Sequence, residues 1–149
     1  MALGNNSDRV VIKITGNLFN RDKKSNELKS FINLFKQMYD GHVKLFIVTG
    51  GGEVARQYIA LARSLGADET TLDEVGILTS RINAKILVAG LGESAHHVIP
   101  TNIESLVNVA EFGKIVVAGG MMPGQSTNAV ASLIAEKVRA RILVNASDV

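Results

Sequence analysis

The sequence predicts an α/β fold built on an open, mostly parallel sheet with helices on both faces. Three observations carry this prediction. Short β-branched runs alternate with helical apolar periodicity along the chain, the segments joining the runs are long enough for crossovers, and polar glycine-bearing turns follow the strands. At 149 residues, 46% of them hydrophobic, the chain suits one domain with a sizeable core.

The first run, Val10 to Ile14, reads as a buried strand ended by Thr15-Gly16-Asn17. From Ser25 to Tyr39, Leu28, Phe31, Ile32, Leu34, Phe35 and Met38 recur at spacings of three and four, which predicts an amphipathic helix stopped at Asp40-Gly41. Its apolar residues suit either a core or an interface. A second strand, Val43 to Val48, runs into Gly50-Gly51-Gly52, and helical spacing resumes from Val54 to Leu65. Asp68 to Leu91 reads as helix with Leu72, Val75, Leu78, Ile82, Ile86 and Leu87 on one side, as two pieces or as one helix that tolerates Gly76. A weaker strand is expected over His97 to Ile99, stopped by Pro100, then a short helix from Ile103 to Val109. Lys114 to Ala118 is the next strand, Gly119 to Gly124 a loop, Asn128 to Val138 a helix and Arg141 to Val144 the last strand. Asn145 to Val149 has the composition of another functional loop.

Composition narrows the function classes. Cysteine is absent, which removes disulfides, thiolate zinc sites and a cysteine nucleophile. A net charge of +2 is too small for a dedicated nucleic-acid or membrane surface. The N-terminus lacks the pattern of a secretory signal, and no uninterrupted apolar run reaches the ~18 residues of a membrane span. The expected location is the cytoplasm. Arg21-Asp22-Lys23-Lys24, the longest charge run, reads as a solvated loop.

In open parallel sheets, ligands bind beyond the carboxyl ends of the strands. The informative loops are therefore Thr15-Gly16-Asn17, Thr49-Gly50-Gly51-Gly52 and Gly119 to Thr127. Glycines let backbone approach an anion, and a following helix offers unpaired N–H groups and a partial positive charge, so the prediction is phosphate binding. A tight structural turn is the alternative for each loop. There is no Gly-Lys-Ser/Thr of a Walker A loop, and Gly50 to Ala55 lacks the dinucleotide spacing. Lys13 lies in an otherwise apolar strand, near its carboxyl end, where it can reach the site as a point charge. Arg56, one helical turn past the triple glycine, can lean back toward an anion. Ser126 and Thr127 either cap the last helix or donate hydroxyls to a ligand, and Met121-Met122 either cover a base or fill the core. His96-His97 lacks zinc-ligand spacing, and no metal ligands are predicted.

Taken in order, Val11 to Gly16, Ile47 to Arg56, Leu72 to Ile77 and Gly119 to Thr127 resemble the amino acid kinase superfamily, and within it the archaeal-type uridylate kinases. The resemblance runs through nearly the whole chain, including Asn145 to Val149. It implies phosphoryl transfer from ATP, with Mg2+, to UMP. By this analogy Lys13 stabilises the transferring phosphoryl group and Asp148 orders the catalytic lysine or the phosphate-side loops. Gly51, Gly52 and Arg56 hold the acceptor phosphate, Asp73 accepts from the ribose hydroxyls, and Gly76 allows close packing. Met121, Gly124, Gln125, Ser126 and Thr127 face the uridine and its phosphate, while Lys13, Gly16, Asn17 and Gly51 contact the donor phosphates. Asn128 stands where many relatives carry aspartate after the hydroxyl pair. The resemblance further implies that residues 1–149 form the N-terminal, UMP-binding portion, with the ATP-binding portion outside them, and that the protein is a homo-oligomer, a hexamer in most of the family. A second class of function, binding a nucleotide or oxoanion without catalysis, fits the same superfamily, whose molybdenum storage proteins resemble uridylate kinases.

Overall fold

The computed structural model describes residues 8–20 and 25–147. Strand β1 (Arg9–Ile14) lies inside the sheet, with β2 (Lys44–Thr49) on one side and β4 (Ile142–Ala146) on the other. Beyond β2 lies β3 (Val116–Ala118), which gives the order β3-β2-β1-β4, all parallel. The helices are α1 (Ser25–Asp40), α2 (Gly52–Ser64), α3 (Glu69–Leu91), α4 (Ile103–Ala110) and α5 (Thr127–Val138).

Strand alternation sorts the core into two layers. Ile12, Ile14, Leu45, Ile47, Ile115 and Val117 meet Phe35 of α1 and Ala84, Leu87, Val88 and Leu91 of α3. Val11, Phe46, Val48, Val116 and Ala118 point the other way, into Leu106 and Val109 of α4 and Val130, Ala131 and Ile134 of α5. Lys13 follows Val11 by two residues and so shares the face that α4 and α5 cover. Arg9, 2% exposed, donates from Nη1 to the Val138 carbonyl at 2.9 Å, placing a cation at the end of α5 where the helix dipole favours it.

Helix boundaries follow their caps. Asp68 accepts from Thr71 N–H at 2.8 Å, which starts α3, and hydrogen bonds from the Thr71 side chain and then its N–H hold the Asp68 carboxyl below its ordinary range. Asn102 and Ser105 form a reciprocal capping box on α4. After α1, His42 adopts a left-handed φ of 67° while the Val43 N–H returns to Met38 O. The left-handed residue is thus His42 rather than Gly41.

Three expectations change. Helix α3 is continuous through Gly76, one of the two alternatives, but of the residues placed on its apolar side only Leu72 and Leu87 are buried and Val75 is half-buried. Leu78, Ile82 and Ile86 are 58%, 57% and 46% exposed, whereas Thr79, Ser80, Asn83 and Ala84 are buried beside Leu87. By length and composition alone this helix is apolar enough to cross a membrane, but Thr79, Ser80 and Asn83 are buried on it beside Leu72, Ile77, Leu87, Val88 and Leu91, and Asn83 bonds the loop after β2. No strand forms over 97–99: Ala95 alone bridges to Ile115, and the Val98 N–H turns back onto His96 Nδ1 at 3.1 Å. On α1, Phe35 is buried, Leu28, Phe31, Ile32 and Met38 pack on the core while partly exposed, and Leu34 is 46% exposed. Asn145 and Ala146 belong to β4 rather than to a loop. The charge run at 21–24 lies outside the described residues.

Candidate functional site

Three turns meet at the carboxyl edge of the sheet. After β1, Thr15 Oγ1 accepts from Asn17 N–H at 3.2 Å and a single 3-10 turn, Gly16–Phe19, follows. This turn lies against the backbone after β2 so closely that a Cβ on Gly16 would collide with Gly52 N and Gly51 C. Gly52 has φ +66°, and a Cβ there would stand 2.7 Å from Asn17 N. Only a pair of glycines permits this approach. The loop after β3 closes the group: a Cβ on Gly50 would sit 3.2 Å from Gly16 N and 3.7 Å from Thr127 Oγ1.

Between these turns opens a cleft of about 480 Å³, within the usual range of small-molecule sites. Gly51, Gly52, Ala55, Arg56 and Ile59 form the α2 wall, and Asp73, Gly76, Ile77 and Ser80 the α3 wall. Gly120, Gly124, Gln125, Ser126 and Thr127 form the third. Two helix N-termini therefore open onto one space, those of α2 and α5, and their leading N–H groups lack intrahelical partners. Ser126 caps α5 by accepting from Ala129 N–H at 3.0 Å, so the capping role holds for Ser126 while Thr127 begins the helix.

Charges are placed on opposite walls. Arg56 pairs with Glu53 at 2.9 Å, and its Nη2 reaches Asn17 Oδ1 at 3.5 Å, so its side chain leans back toward the α2 N-terminus. The pair is more than half exposed on both sides and adds little stability, which leaves the guanidinium available to an arriving anion. Asn17 Oδ1 also accepts from Glu53 N–H at 2.7 Å, capping α2 from the neighbouring turn. Across the cleft, Asp73 Oδ2 accepts from Gly124 N–H at 2.9 Å, tying the third wall to α3.

Nine of the residues singled out from sequence thus share one cleft: Gly51, Gly52, Arg56, Asp73, Gly76, Gly124, Gln125, Ser126 and Thr127. Lys13, Gly16 and Asn17 lie on or just after β1 beside it. Met121 is 9% exposed and packs into the α4/α5 core layer, away from the lining. Asp148 lies outside the described residues. Sequence reasoning missed Ala55, Ile59, Ile77, Ser80 and Gly120. The signal for Ser80 was present as a small polar residue repeating near Thr79 and Asn83 within an apolar helix. A Cβ on Gly76 would stand 3.4 Å from Ile59 Cδ1 of α2, and one on Gly51 would stand 3.5 Å from Gly76 O.

The histidine pair lies at the opposite edge of the sheet. His96 is 8% exposed, stacked on His97 with centroids 4.8 Å apart, and Nδ1 accepts the Val98 N–H. Burial, then His97 and Lys114, lower its proton affinity below the ordinary imidazole range. The folded protein therefore binds fewer protons at this site than the unfolded chain. Its contribution to stability is complete above about pH 7 and is lost as pH falls through ~6.5 toward the lower folded-state value. Thermal midpoints should fall between about pH 7.5 and pH 5.5, and His96→Gln should flatten that slope. An unchanged slope in the variant assigns the pH dependence elsewhere. Among the described residues no group of three or more His, Asp or Glu side chains is placed to hold a metal ion.

A four-stranded parallel sheet that changes direction about β1, with its cleft at the carboxyl edge, defines a doubly wound α/β protein. The chain belongs to the amino acid kinase family, whose family model matches residues 8–149. It is 41% identical over 141 residues to a uridylate kinase of Methanoculleus marisnigri, covering 95% of this chain and 60% of that protein. The crystal structure of uridylate kinase from Archaeoglobus fulgidus superposes with a TM-score of 0.86 at 34% identity, over 94% of this chain and 64% of that one. Aspartate kinase from Synechocystis, 16% identical, shares the fold with a TM-score of 0.75 over 95% of this chain and 28% of its own. The chain spans about 60% of the length of the curated relatives it matches.

Proposed function

We propose that the chain is the acceptor-nucleotide side of a UMP kinase, which transfers the γ-phosphoryl group of ATP to UMP and yields UDP and ADP. The observation that carries this reading is the cleft, with two helix N-termini and Arg56 at one end and the Asp73 carboxylate on the facing wall. A nucleoside monophosphate has the matching order, a dianionic phosphate and then ribose hydroxyls that donate. The likeness to uridylate kinases supports uridine as the base.

In this reading Gly51 and Gly52 N–H groups and Arg56 hold the UMP phosphate, and Asp73 accepts from the ribose. Gly124 to Thr127 flank the uridine, and Met121 shapes their loop from beneath. An oxygen of the UMP phosphate attacks the γ-phosphorus of ATP, and the bond to the β,γ-bridging oxygen breaks as ADP leaves. Charge on the transferring group is offset by Lys13, with Gly16 and Asn17 toward the donor phosphates and Asp148 ordering Lys13. Among the described residues no three His, Asp or Glu side chains are grouped to hold Mg2+; bound to the ATP phosphates, the metal would neutralise their charge. The donor side belongs in this reading to the further length of the relatives. Homo-oligomeric assembly fits the exposed Leu78, Ile82 and Ile86 of α3 and Tyr58, Leu61 and Leu65 of α2, and a hexamer is what the family resemblance implies. A cytoplasmic location belongs to the same reading.

At a hundredfold excess over its Kd, UMP should stabilise the chain by about 2.7 kcal/mol, whereas carbamate and acetylglutamate should not. The full gene product should form UDP from UMP and MgATP, and Lys13→Ala should lower kcat about 10²–10³-fold. Stabilisation by another acceptor, or turnover indifferent to Lys13→Ala, overturns the proposal. UMP binding with no transfer in the full gene product identifies a binding protein.

A further inference from the structure

One turn of α3 grips the backbone of two glycine loops from behind the cleft. Asn83, 6% exposed, donates from Nδ2 to Gly50 O at 2.8 Å and to Gly51 O at 3.4 Å. Ser80 Oγ accepts the Gly120 N–H at 2.7 Å, and Arg81 donates to Gly120 O at 2.9 Å and Met121 O at 3.3 Å. From β2, Thr49 Oγ1 donates to Ser80 O at 2.8 Å, fixing the helix to the sheet at that turn. A Cβ on Gly119 would stand 2.7 Å from Ser80 Oγ, so the loop has no slack against the helix.

The consequence for the first loop follows from peptide geometry. A trans peptide is planar, and its N–H points opposite to its C=O. Gly50 C=O belongs to the peptide whose N–H is that of Gly51, and Gly51 C=O to the one whose N–H is that of Gly52. The Gly50 carbonyl is drawn to Asn83, and the Gly51 carbonyl is shared between Asn83 and the Ala55 N–H of α2, each at 3.4 Å, so both N–H groups are turned away from Asn83. Gly51 and Gly52 line the cleft and Asn83 does not. We propose that Asn83 is a positioning residue, whose amide anchors the Gly50 and Gly51 carbonyls so that the Gly51 and Gly52 N–H groups face the acceptor phosphate. No ligand contact is needed for this role. That the ligand is UMP rests on the function proposed above; that Asn83 orients the two peptides does not.

Asn83→Asp keeps the shape and removes the donors, setting a carboxyl oxygen against two carbonyls; Asn83→Ala removes the group altogether. Val109→Ala, a buried change in α4 away from the cleft, serves as a control of comparable destabilisation. Two readouts are made on the whole chain. In the ligand-free protein, 15N relaxation should show Gly51 and Gly52 amides rigid, with order parameters near about 0.85, falling below about 0.6 in both Asn83 variants and unchanged in the control. By calorimetry, UMP affinity should fall about tenfold or more in the Asn83 variants, the loss expected for a misdirected hydrogen-bond donor, and stay within about twofold in the control. Amides as rigid in the variants as in the wild type overturn the proposal, as does an affinity loss equalled by Val109→Ala. A wild type that binds no UMP, with amides responding as stated, rejects the ligand and upholds the positioning role.

Discussion

Gly16→Ala should cost the fold about 3 kcal/mol or more and remove UMP binding, a result at the top of the range for overpacking. Side chains can usually turn aside for one added methyl group. Here the atoms in its path are Gly52 N, Gly51 C and Gly50 O, all backbone, and the last two carry the carbonyl groups whose oxygens Asn83 holds. Relief must come by moving the turn after β1 away from the α2 N-terminus, which also withdraws Asn17 from its bond to Glu53 N–H. Gly66→Ala is the informative comparison. Gly66 has φ +89° but no atom within 4 Å of an added Cβ, so it incurs only the left-handed strain of about 1 kcal/mol. Urea unfolding of both variants measures the difference, and thermal shift with UMP measures the site. Equal costs at the two glycines would falsify the steric argument.

Leu87→Ala should destabilise by about 3 kcal/mol, while Ile82→Ala, five residues earlier on the same helix, should cost less than about 1 kcal/mol at low protein concentration. Leu87 is 0% exposed within the α1/α3 core layer and Ile82 is 57% exposed. Removing three side-chain carbons from the first leaves a cavity in the core cluster that holds Ile47 and Ala84; removing three from the second leaves none in the single chain. A second copy packed on this helix would make the Ile82→Ala effect grow with protein concentration, because dissociation then precedes unfolding. Denaturant curves at two concentrations separate these contributions. The reverse order of costs would mean that α3 is rotated about its axis relative to the arrangement described.

The strands and the glycine turns were legible because their signals are local. Val10 to Ile14 is β-branched and apolar on both faces, as a strand with neighbours on both sides must be, and Gly50-Gly51-Gly52 declares a close approach by having no side chains to offer. The orientation of α3 was not legible, since both of its sides carry large apolar residues. Burial there is decided by loop backbone that needs hydrogen-bond partners, and so Ser80 and Asn83 go inward while Leu78, Ile82 and Ile86 remain outside. Hydrophobicity alone places Leu72 and Leu87 correctly but puts Leu78, Ile82 and Ile86 on the buried side. Met121 shows the complementary limit: its neighbours in the loop reach the cleft, but one side chain of that run faces the core, and no periodicity exists in a loop to say which. The His97 to Ile99 segment had strand composition, but after the single Ala95–Ile115 bridge the Val98 N–H turns back onto His96 Nδ1 instead of continuing along the edge of β3.

The contact between Arg9 and Val138 joins residues 129 positions apart, and β4 pairs with β1 just beyond it. During synthesis, β1 emerges first, yet one of its edges has no neighbour until almost the last residues described here leave the ribosome. β2 and β3 can assemble on the other edge meanwhile, but the strand pairing of greatest sequence separation among the described residues is the one that closes β1. A nascent chain therefore carries an open strand edge from the emergence of β1 until that of β4, an interval set by how far along the chain β4 lies.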